Sequence, residues 1–324
     1  MNHYPQSVKV DGPFTHSNLS LYLLTLPPKE TQTSSQYFLP LHRAIAEKSV
    51  VVHETGNVGN ILVQNLSPDL DIFIQDGDIV QGGRQDRVVR VDFIVPANSG
   101  PFPLPTFCVE KRRWGRRGAE SVQQFSGCGK MFAARLIRAE MRSGKTNQHT
   151  LWDEVSKMQS KLSASVGEDV AAASSPSSVD LSLGHKALER RREAVRQELG
   201  CLREKYPQAT GMLMAVNGTV LGGDLYFTSQ LFGDLWSKLL DTAANESVGE
   251  LMSFTKAKLD HLPTAEKLTE ILAASIAVEE EQLKELPPRT RITLRRGQGK
   301  RVFTTRDVGN ENEAVRAAFE FLQA

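Results

Sequence analysis

The chain has 324 residues, of which 40% are hydrophobic and 24% charged, so it has the composition of a folded protein with a sizeable core and not of a disordered chain. Its 39 Lys and Arg residues against 38 Asp and Glu residues give a formal net charge of +1, which argues against a general nucleic-acid coat protein or a polybasic membrane binder. The apolar runs fall far short of the ~18 residues that a membrane-spanning helix needs, and we expect no membrane partner.

The cysteines and the amino terminus indicate the compartment. Cys108, Cys128 and Cys201 form no C-x-x-C pair, which argues against a disulfide framework or a cysteine-rich zinc site and is typical of a reducing compartment. Residues 1–14 show no charged segment followed by an apolar one, so no secretory signal is predicted. We therefore expect a cytoplasmic protein with no metal site and no cofactor, whose oligomeric state stays open.

The first part of the chain, residues 1–125, is predicted to be rich in β-strands. Apolar and β-branched runs at 19–26, 60–65, 70–75, 87–95 and 106–110 are separated by turn residues such as the Ser67-Pro68-Asp69 segment. A short helix is predicted over 41–48. The closely spaced turns favour a mainly antiparallel arrangement.

Residues 126–205 are predicted to be helical. Apolar residues recur at helical spacing over 130–142, 151–162 and 186–205. In the first of these helices Arg135, Arg138 and Arg142 form a separate stripe. The Ala- and Ser-rich segment 163–182 is predicted to be a mobile loop.

Residues 206–324 are predicted to mix strands and helices. A strand at 212–216 turns at Asn217-Gly218, returns over 219–221 and breaks at Gly222-Gly223. Helices are predicted over 227–240, 264–286, with Thr264 as the cap, and 310–322, and a hairpin over 289–305 around Gly297-Gln298-Gly299. The fold class predicted is α+β, with an antiparallel amino-terminal half and a helix-rich carboxy-terminal half around a shared core.

Several catalytic motifs are imitated or absent. Gly144-Lys145-Thr146 ends like a P-loop, but Ala139 occupies the leading glycine position, so the nest of backbone N–H groups that cradles phosphate is not predicted. The sequence has no H-E-x-x-H and no G-x-S-x-G motif. A P-loop ATPase, a zinc protease and a serine hydrolase are therefore not expected.

Polar residues and glycines are dense between residues 76 and 117. Glycines let a backbone approach a ligand closely, arginine forks bind phosphate or carboxylate in a bidentate manner, and tryptophan offers a flat stacking face. The candidate ligand-binding residues are Gly82, Gly83, Gln85, Arg87, Arg113 and Trp114.

Glu110 and Asp78 are the candidate acid or base if there is hydrolysis, one carboxylate activating water while arginines stabilise the leaving group. The same charges would equally fit a structural ion-pair network. The sequence leaves both interpretations open.

Two basic segments are compatible with nucleic-acid binding. Residues 111–117 contain five basic residues and one tryptophan. The second segment is the carboxy-terminal hairpin, which contains Arg289, Arg291, Arg295, Arg296, Lys300 and Arg301. Clustered cations are sufficient to attract phosphate, although a solvated charged face is the commoner reason for such a pattern.

The motifs in both halves of the chain resemble those of the ARPP domain proteins, a family named for its association with ADP-ribosylglycohydrolases and the rhodanese–phosphatase superfamily. The segments that carry the resemblance are Asp76-Gly77-Asp78, residues 82–87, 95–99 and 108–114, Trp152-Asp153-Glu154-Val155, Asn217-Gly218, residues 222–225 and 231–240. Asp86, Asn98 and Arg112 depart from the pattern, which has Asn, Gly and Gly there. The resemblance implies one ARPP-like unit over 1–324 and a genomic link to ADP-ribose or NAD-derived metabolites.

These observations lead to three functional hypotheses. The first is a protein that binds, with or without hydrolysing, an anionic nucleotide-type small molecule such as an ADP-ribose or NAD derivative. The second is a non-enzymatic scaffold or protein-interaction module, and the third is RNA binding through the basic segments. The first two differ in whether Gln85, Glu110 and Arg113 converge on an open pocket or satisfy one another.

Overall fold

The computed structural model describes residues 8–27, 37–132, 135–276, 278–297 and 299–322, without the side chains of residues 136 and 276. The amino-terminal residues 1–7 and Gln298 of the predicted hairpin turn lie outside the described residues. The strands are β1 (Lys9–His16), β2 (Leu19–Thr25), β3 (Phe38–Pro40), β4 (Val50–His53), β5 (Asn60–Asn65), β6 (Asp71–Ile74), β7 (Asp78–Gly82), β8 (Arg87–Val89), β9 (Phe93–Val95), β10 (Ser99–Cys108), β11 (Gln124–Met131), β12 (Gly211–Val216), β13 (Thr219–Tyr226), β14 (Glu280–Leu286), β15 (Thr290–Gly297), β16 (Lys300–Asp307) and β17 (Glu313–Phe321). The helices are α1 (Leu41–Ala46), α2 (Arg135–Arg142), α3 (Gln148–Val166), α4 (Val179–Leu183), α5 (Lys186–Leu199), α6 (Leu202–Lys205), α7 (Ser229–Gly249) and α8 (Ala265–Ile276).

The chain divides into two compact units. Unit 1 comprises residues 1–37, 194–243 and 253–324, and unit 2 comprises residues 38–193 and 244–252. None of the described helices is long and apolar enough to cross a membrane.

Unit 1 contains an eight-stranded antiparallel sheet in the order β1-β2-β12-β13-β17-β16-β15-β14. Every residue of β12 is buried, as are all but the end residues of β17. Strands covered on both faces lose the alternation of apolar and polar residues. Leu268 and Leu272 of α8 share one hydrophobic cluster with Tyr22, Leu213 and Phe319 of the sheet.

Unit 2 contains a closed barrel of strands in the order β10-β5-β4-β11-β7-β8 and a three-stranded sheet in the order β3-β6-β9. In that small sheet β3 and β6 are parallel, whereas β6 and β9 are antiparallel. Helix residues such as Leu151 and Leu188 share a hydrophobic cluster with Val88 and Val109. This core fixes the end of the barrel where the candidate site residues lie.

The α+β class and the antiparallel sheets are confirmed, but the helix-rich carboxy-terminal half is wrong. Thr264 does cap a helix, its hydroxyl accepting the Lys267 N–H at 3.2 Å, yet α8 ends at Ile276 and residues 280–286 form β14. Residues 313–321 form β17 in place of the predicted last helix. Val315 and Phe319 have helical spacing, but β17 lies between β13 and β16, and burial on both faces removes the period that identifies a strand.

Gly222 and Gly223 lie inside β13 and do not break it. A Cβ on Gly223 would stand 1.9 Å from the Met212 carbonyl oxygen of β12. These glycines therefore allow the neighbouring strands to pack closely, a function that the sequence does not distinguish from a turn.

Candidate functional site

The turn between β7 and β8 and the segment that follows β10 lie side by side at one end of the barrel. β7 ends at Gly82, β8 begins at Arg87, and Arg87 pairs with Cys108 at the end of β10. The Val109 N–H donates to the Asp86 carbonyl at 3.1 Å. The topology thus brings residues 82–87 together with residues 108–114.

Glu110 is completely buried and accepts four hydrogen bonds. Its Oε2 accepts from Arg113 Nε at 2.6 Å and from the Asp86 N–H at 3.1 Å. Its Oε1 accepts from the Ser175 hydroxyl at 2.5 Å and from Arg117 Nη1 at 3.1 Å. These four donors together occupy acceptor positions on both oxygens of the Glu110 carboxyl group.

Asp86 lies beside Glu110 and shares its two arginines. Arg113 Nη2 donates to Oδ1 at 3.2 Å, and Arg117 Nη1 donates to Oδ2 at 2.9 Å. The Ser178 hydroxyl lies 3.3 Å from Oδ2. Burial, together with the Glu110 charge, raises the pKa of Asp86 to about 6, although Arg117 opposes the shift.

We call Asp86, Glu110, Arg113, Arg117, Ser175 and Ser178 the carboxylate network. The sequence identified Glu110 and Arg113 as site candidates but not Arg117 or the two serines, which lie in the segment predicted to be a mobile loop. Ser175 and Ser178 are buried, the latter completely. The two serines are identified only by their contacts in the folded protein, Ser175 with Glu110 and Ser178 with Asp86. These partners are far apart along the chain, so no local sequence pattern indicates them.

Gln85 and Arg87 are held by protein groups. Gln85 Nε2 donates to the Glu110 carbonyl at 2.7 Å. Arg87 is completely buried, donates through Nη2 to both carboxylate oxygens of Glu54 at 3.2 Å, and contacts Cys108 Sγ. Both side chains therefore make their hydrogen bonds with groups of the protein itself.

Other parts of the protein pack closely against Gly82 and Gly83. Both have positive φ, 119° and 56°. A Cβ on Gly83 would stand 2.6 Å from the Phe125 ring and 2.8 Å from a Glu54 carboxylate oxygen. Their carbonyls accept hydrogen bonds from Arg113 at 3.3 and 3.2 Å. The space that these glycines provide is filled by the protein itself.

Trp114 is the predicted ligand-binding residue with a large exposed surface, 49%. The Arg84 guanidinium lies 5.5 Å from its ring centroid and that of Arg87 lies 5.9 Å away. We call Arg84, Lys111, Arg112, Trp114 and Arg116, all exposed, the Trp114 surface. Among the described residues, none of its four cations forms an ion pair with a carboxylate.

Asp78 lies apart from Glu110. It begins β7, whereas Gly82, which donates to Asp86, ends it, a separation of about 13 Å along the strand. Asp78 Oδ2 accepts the Gln75 N–H at 3.3 Å. The structure does not bring the two predicted catalytic carboxylates together.

A second buried ion-pair cluster surrounds the Asp76-Gly77 turn near Asp78. Asp76 Oδ2 accepts from Arg138 Nε at 3.0 Å and from Arg142 Nη2 at 2.9 Å. The arginines of α2 are thus buried and not exposed to solvent. We call Asp76, Arg138 and Arg142 the Asp76 cluster. The spacing of the arginines was visible in the sequence, but their burial was not.

The basic residues of the carboxy-terminal hairpin have carboxylate neighbours. Arg296 pairs with Glu281 at 2.8 Å and Arg291 with Glu285 at 3.2 Å, both on β14. Arg295 pairs with Glu280 at 3.1 Å. These pairs reduce the positive charge on which the RNA hypothesis depends for this hairpin.

A metal site needs several ligand side chains close together. Within the part of the chain that the structure describes, no three His, Cys, Asp or Glu residues lie close enough together to hold a metal ion.

Comparison with known proteins identifies the family. A family model described as the ARG and Rhodanese-Phosphatase-superfamily-associated Protein domain matches residues 7–317. Since the match covers nearly the whole chain, the chain belongs to this family. No curated protein and no solved structure matches it.

Proposed function

We propose that this member of the ARPP domain family binds an anionic nucleotide-type ligand, such as an ADP-ribose derivative, on the Trp114 surface. The observation that carries the proposal is a half-exposed tryptophan with the Arg84 guanidinium 5.5 Å from its ring and three more exposed cations, Lys111, Arg112 and Arg116, within three residues of it along the chain. None of these four cations has a carboxylate partner among the described residues. An aromatic face stacks on a nucleobase, and arginine forks bind phosphate oxygens.

The buried and the exposed cations of this region have different surroundings, which supports different roles for them. Arg87 and Arg113 are engaged by Glu54, Glu110 and Asp86. The cations outside them, Arg84, Lys111, Arg112 and Arg116, remain available to a ligand. In this proposal the carboxylate network positions the loop and does not contact the ligand.

The same geometry favours binding without hydrolysis. A general base has to reach the proton that it removes, whereas Glu110 is completely buried and accepts four hydrogen bonds. Its mutual satisfaction with Gln85 and Arg113 also favours the second candidate function, a non-enzymatic scaffold, in which the network joins three chain segments and no small ligand binds.

The test is calorimetric titration of the full chain with ADP-ribose, together with thermal unfolding. Ligand at 100 times its Kd is expected to stabilise the protein by about 2.7 kcal/mol. Trp114→Ala should remove most of the affinity and Trp114→Phe should retain part of it, because phenylalanine keeps a stacking face. Met252→Ala is the matched control, since Met252 is a large apolar side chain that is 76% exposed.

Binding that survives Trp114→Ala unchanged would contradict the proposed site, and no binding in the wild type would favour the scaffold. Hydrolysis is tested separately by incubation of ADP-ribose with the wild type and Glu110→Gln. We expect no turnover by either protein. Turnover that is lost in Glu110→Gln at unchanged unfolding temperature would restore Glu110 as a catalytic residue.

A further inference from the structure

A second tryptophan borders the loop that carries the Trp114 surface. The Gln148 side chain accepts the Cys108 N–H at 2.9 Å and donates to the Cys108 carbonyl at 2.7 Å. This double hydrogen bond fixes the first turn of α3 against the end of β10, where the loop begins. Trp152 lies four residues after Gln148, so it lies on the same face of α3.

The polar surroundings of Trp152 resemble those of Trp114. Lys111 Nζ lies 5.6 Å from the Trp152 ring centroid, and the Arg84 guanidinium lies 5.5 Å from that of Trp114. The His149 ring meets the Trp152 ring edge-on, with centroids 5.5 Å apart. Each tryptophan thus has an exposed cation over its ring.

The Trp152 indole also has an unused hydrogen-bond donor. Its Nε1 is buried and has no acceptor among the described groups. A buried N–H without a partner is unfavourable, and an oxygen of a bound ligand would satisfy it. Lys111, whose side chain is exposed and long, is able to move from the ring onto a ligand phosphate.

A short cationic segment joins Trp114 to the residue that contacts Trp152. Lys111, which contacts Trp152, and Trp114 are three residues apart, so their Cα atoms lie at most about 11 Å apart. Lys111 and Arg112 are the exposed cations at the start of this segment. This segment therefore carries Trp114 at one end and, at the other, the lysine that lies over the Trp152 ring.

We propose that the ligand of this site is a dinucleotide, in which two nucleobases are joined through a phosphate bridge, one base stacking on Trp114 and the other on Trp152. The inference rests on the proposed function and extends it, because a mononucleotide would occupy only one of the two aromatic faces. Stacking on each ring and phosphate contacts from Lys111 and Arg112 act on the same molecule.

The test compares diadenosine diphosphate, ADP-ribose and AMP by calorimetric titration of the full chain. We expect diadenosine diphosphate to bind about tenfold or more tightly than AMP, which is the scale of one additional stacked base. Trp152→Ala should remove this difference and leave ADP-ribose affinity unchanged, whereas Trp114→Ala should weaken all three ligands. Lys157→Ala is the control, since Lys157 lies on the same helix and is 68% exposed.

Lys111→Ala keeps the inference testable if Trp152→Ala does not fold, because Lys111 is exposed; it should weaken diadenosine diphosphate. Equal affinities for diadenosine diphosphate and AMP in the wild type, both dependent on Trp114, would overturn the dinucleotide inference and leave the proposed function intact. No binding of any of the three ligands would overturn both. Tighter binding of a short oligoadenylate, falling steeply with salt, would overturn the dinucleotide in favour of single-stranded nucleic acid.

Discussion

At the scale of single residues, the carboxylate network is unusual in placing two acids next to each other without solvent. Asp86 and Glu110 are both completely buried, and the Asp86 N–H donates to Glu110. Arg113 and Arg117 bind both carboxylates. Glu120, which is partly exposed, also pairs with Arg117 at 2.7 Å, so two arginines serve three carboxylates. Removal of either arginine therefore leaves buried negative charge uncompensated.

Asp86 makes the stability of the protein depend on pH. Burial raises the folded-state pKa of Asp86 to about 6 from its ordinary 3.8, so the folded state binds this proton more tightly than the unfolded state does. The resulting stability is complete below about pH 4 and is lost as pH rises through about 6, a change of about 3 kcal/mol. The expected result is that Asp86→Asn loses this part of the pH dependence.

The measurement is urea unfolding of the wild type and Asp86→Asn at pH values between 5 and 7.5. Glu246, whose pKa burial raises to about 7, titrates in both proteins, so the difference between their unfolding free energies isolates Asp86. That difference should move in favour of the wild type as the pH falls. Parallel pH profiles would show that Asp86 does not titrate in this range.

At the scale of elements, the sequence predicted the hairpins and helices whose formation depends on neighbouring residues. The β12–β13 hairpin follows from Asn217-Gly218, both with positive φ, and α3 follows from the apolar spacing over 151–162. The structure adds a cap at Asn147, which the sequence analysis did not identify. In contrast, the strand conformation of β17 and the burial of the arginines of α2 depend on partners far along the chain. β17 is paired on both sides, and α2 places its arginines on Asp76, about 60 residues earlier in the sequence. Pattern rules carry no information about such partners.

The Asp76 cluster requires glycine at position 77. Gly77 has a φ of 85°, and a Cβ there would stand 2.5 Å from Arg138 Nε. Gly77→Ala should therefore combine backbone strain with displacement of Arg138 from Asp76, and we expect it to lower the free energy of unfolding by about 3 kcal/mol or more.

Gly144→Ala is the matched control for that substitution. Gly144 has a φ of 71° and no atom within 4 Å of its Cβ position, so it incurs the backbone strain alone, about 1 kcal/mol. Urea unfolding of both variants separates packing from strain. Equal losses in the two would mean that Arg138 moves aside without cost.

At the scale of the whole molecule, neither unit is a continuous stretch of chain. Unit 2 needs residues 244–252 in addition to 38–193. The length of the chain alone suggests about two domains, each formed by one continuous stretch of sequence. No change in composition marks the point where the chain returns to unit 2. The link is again long-range: Asn245 Oδ1 accepts from Arg192 Nη1 at 2.9 Å.

The short returning segment should be essential for unit 2. Val248 is buried in its hydrophobic cluster, Asn245 pairs with the buried Arg192, and Glu246 accepts the Arg135 N–H at 3.4 Å. A fragment of residues 38–193 would expose part of that cluster and leave the Arg192–Asn245 hydrogen bond unmade. We expect this fragment to lack cooperative thermal unfolding, measured by circular dichroism, under conditions where the full chain unfolds cooperatively.

A variant of the full chain tests the same idea without truncation. Asn245→Ala combined with Val248→Ala should lower the free energy of unfolding by about 2–4 kcal/mol, through a cavity and a lost buried hydrogen bond. Glu250→Ala is the control: Glu250 lies in the same segment, and its pair with Lys161 at 2.6 Å is solvent-exposed, so its removal should cost less than about 1 kcal/mol. A fragment 38–193 that unfolds cooperatively at the temperature of the full chain, with a double variant as stable as Glu250→Ala, would show that unit 2 is complete without the returning segment.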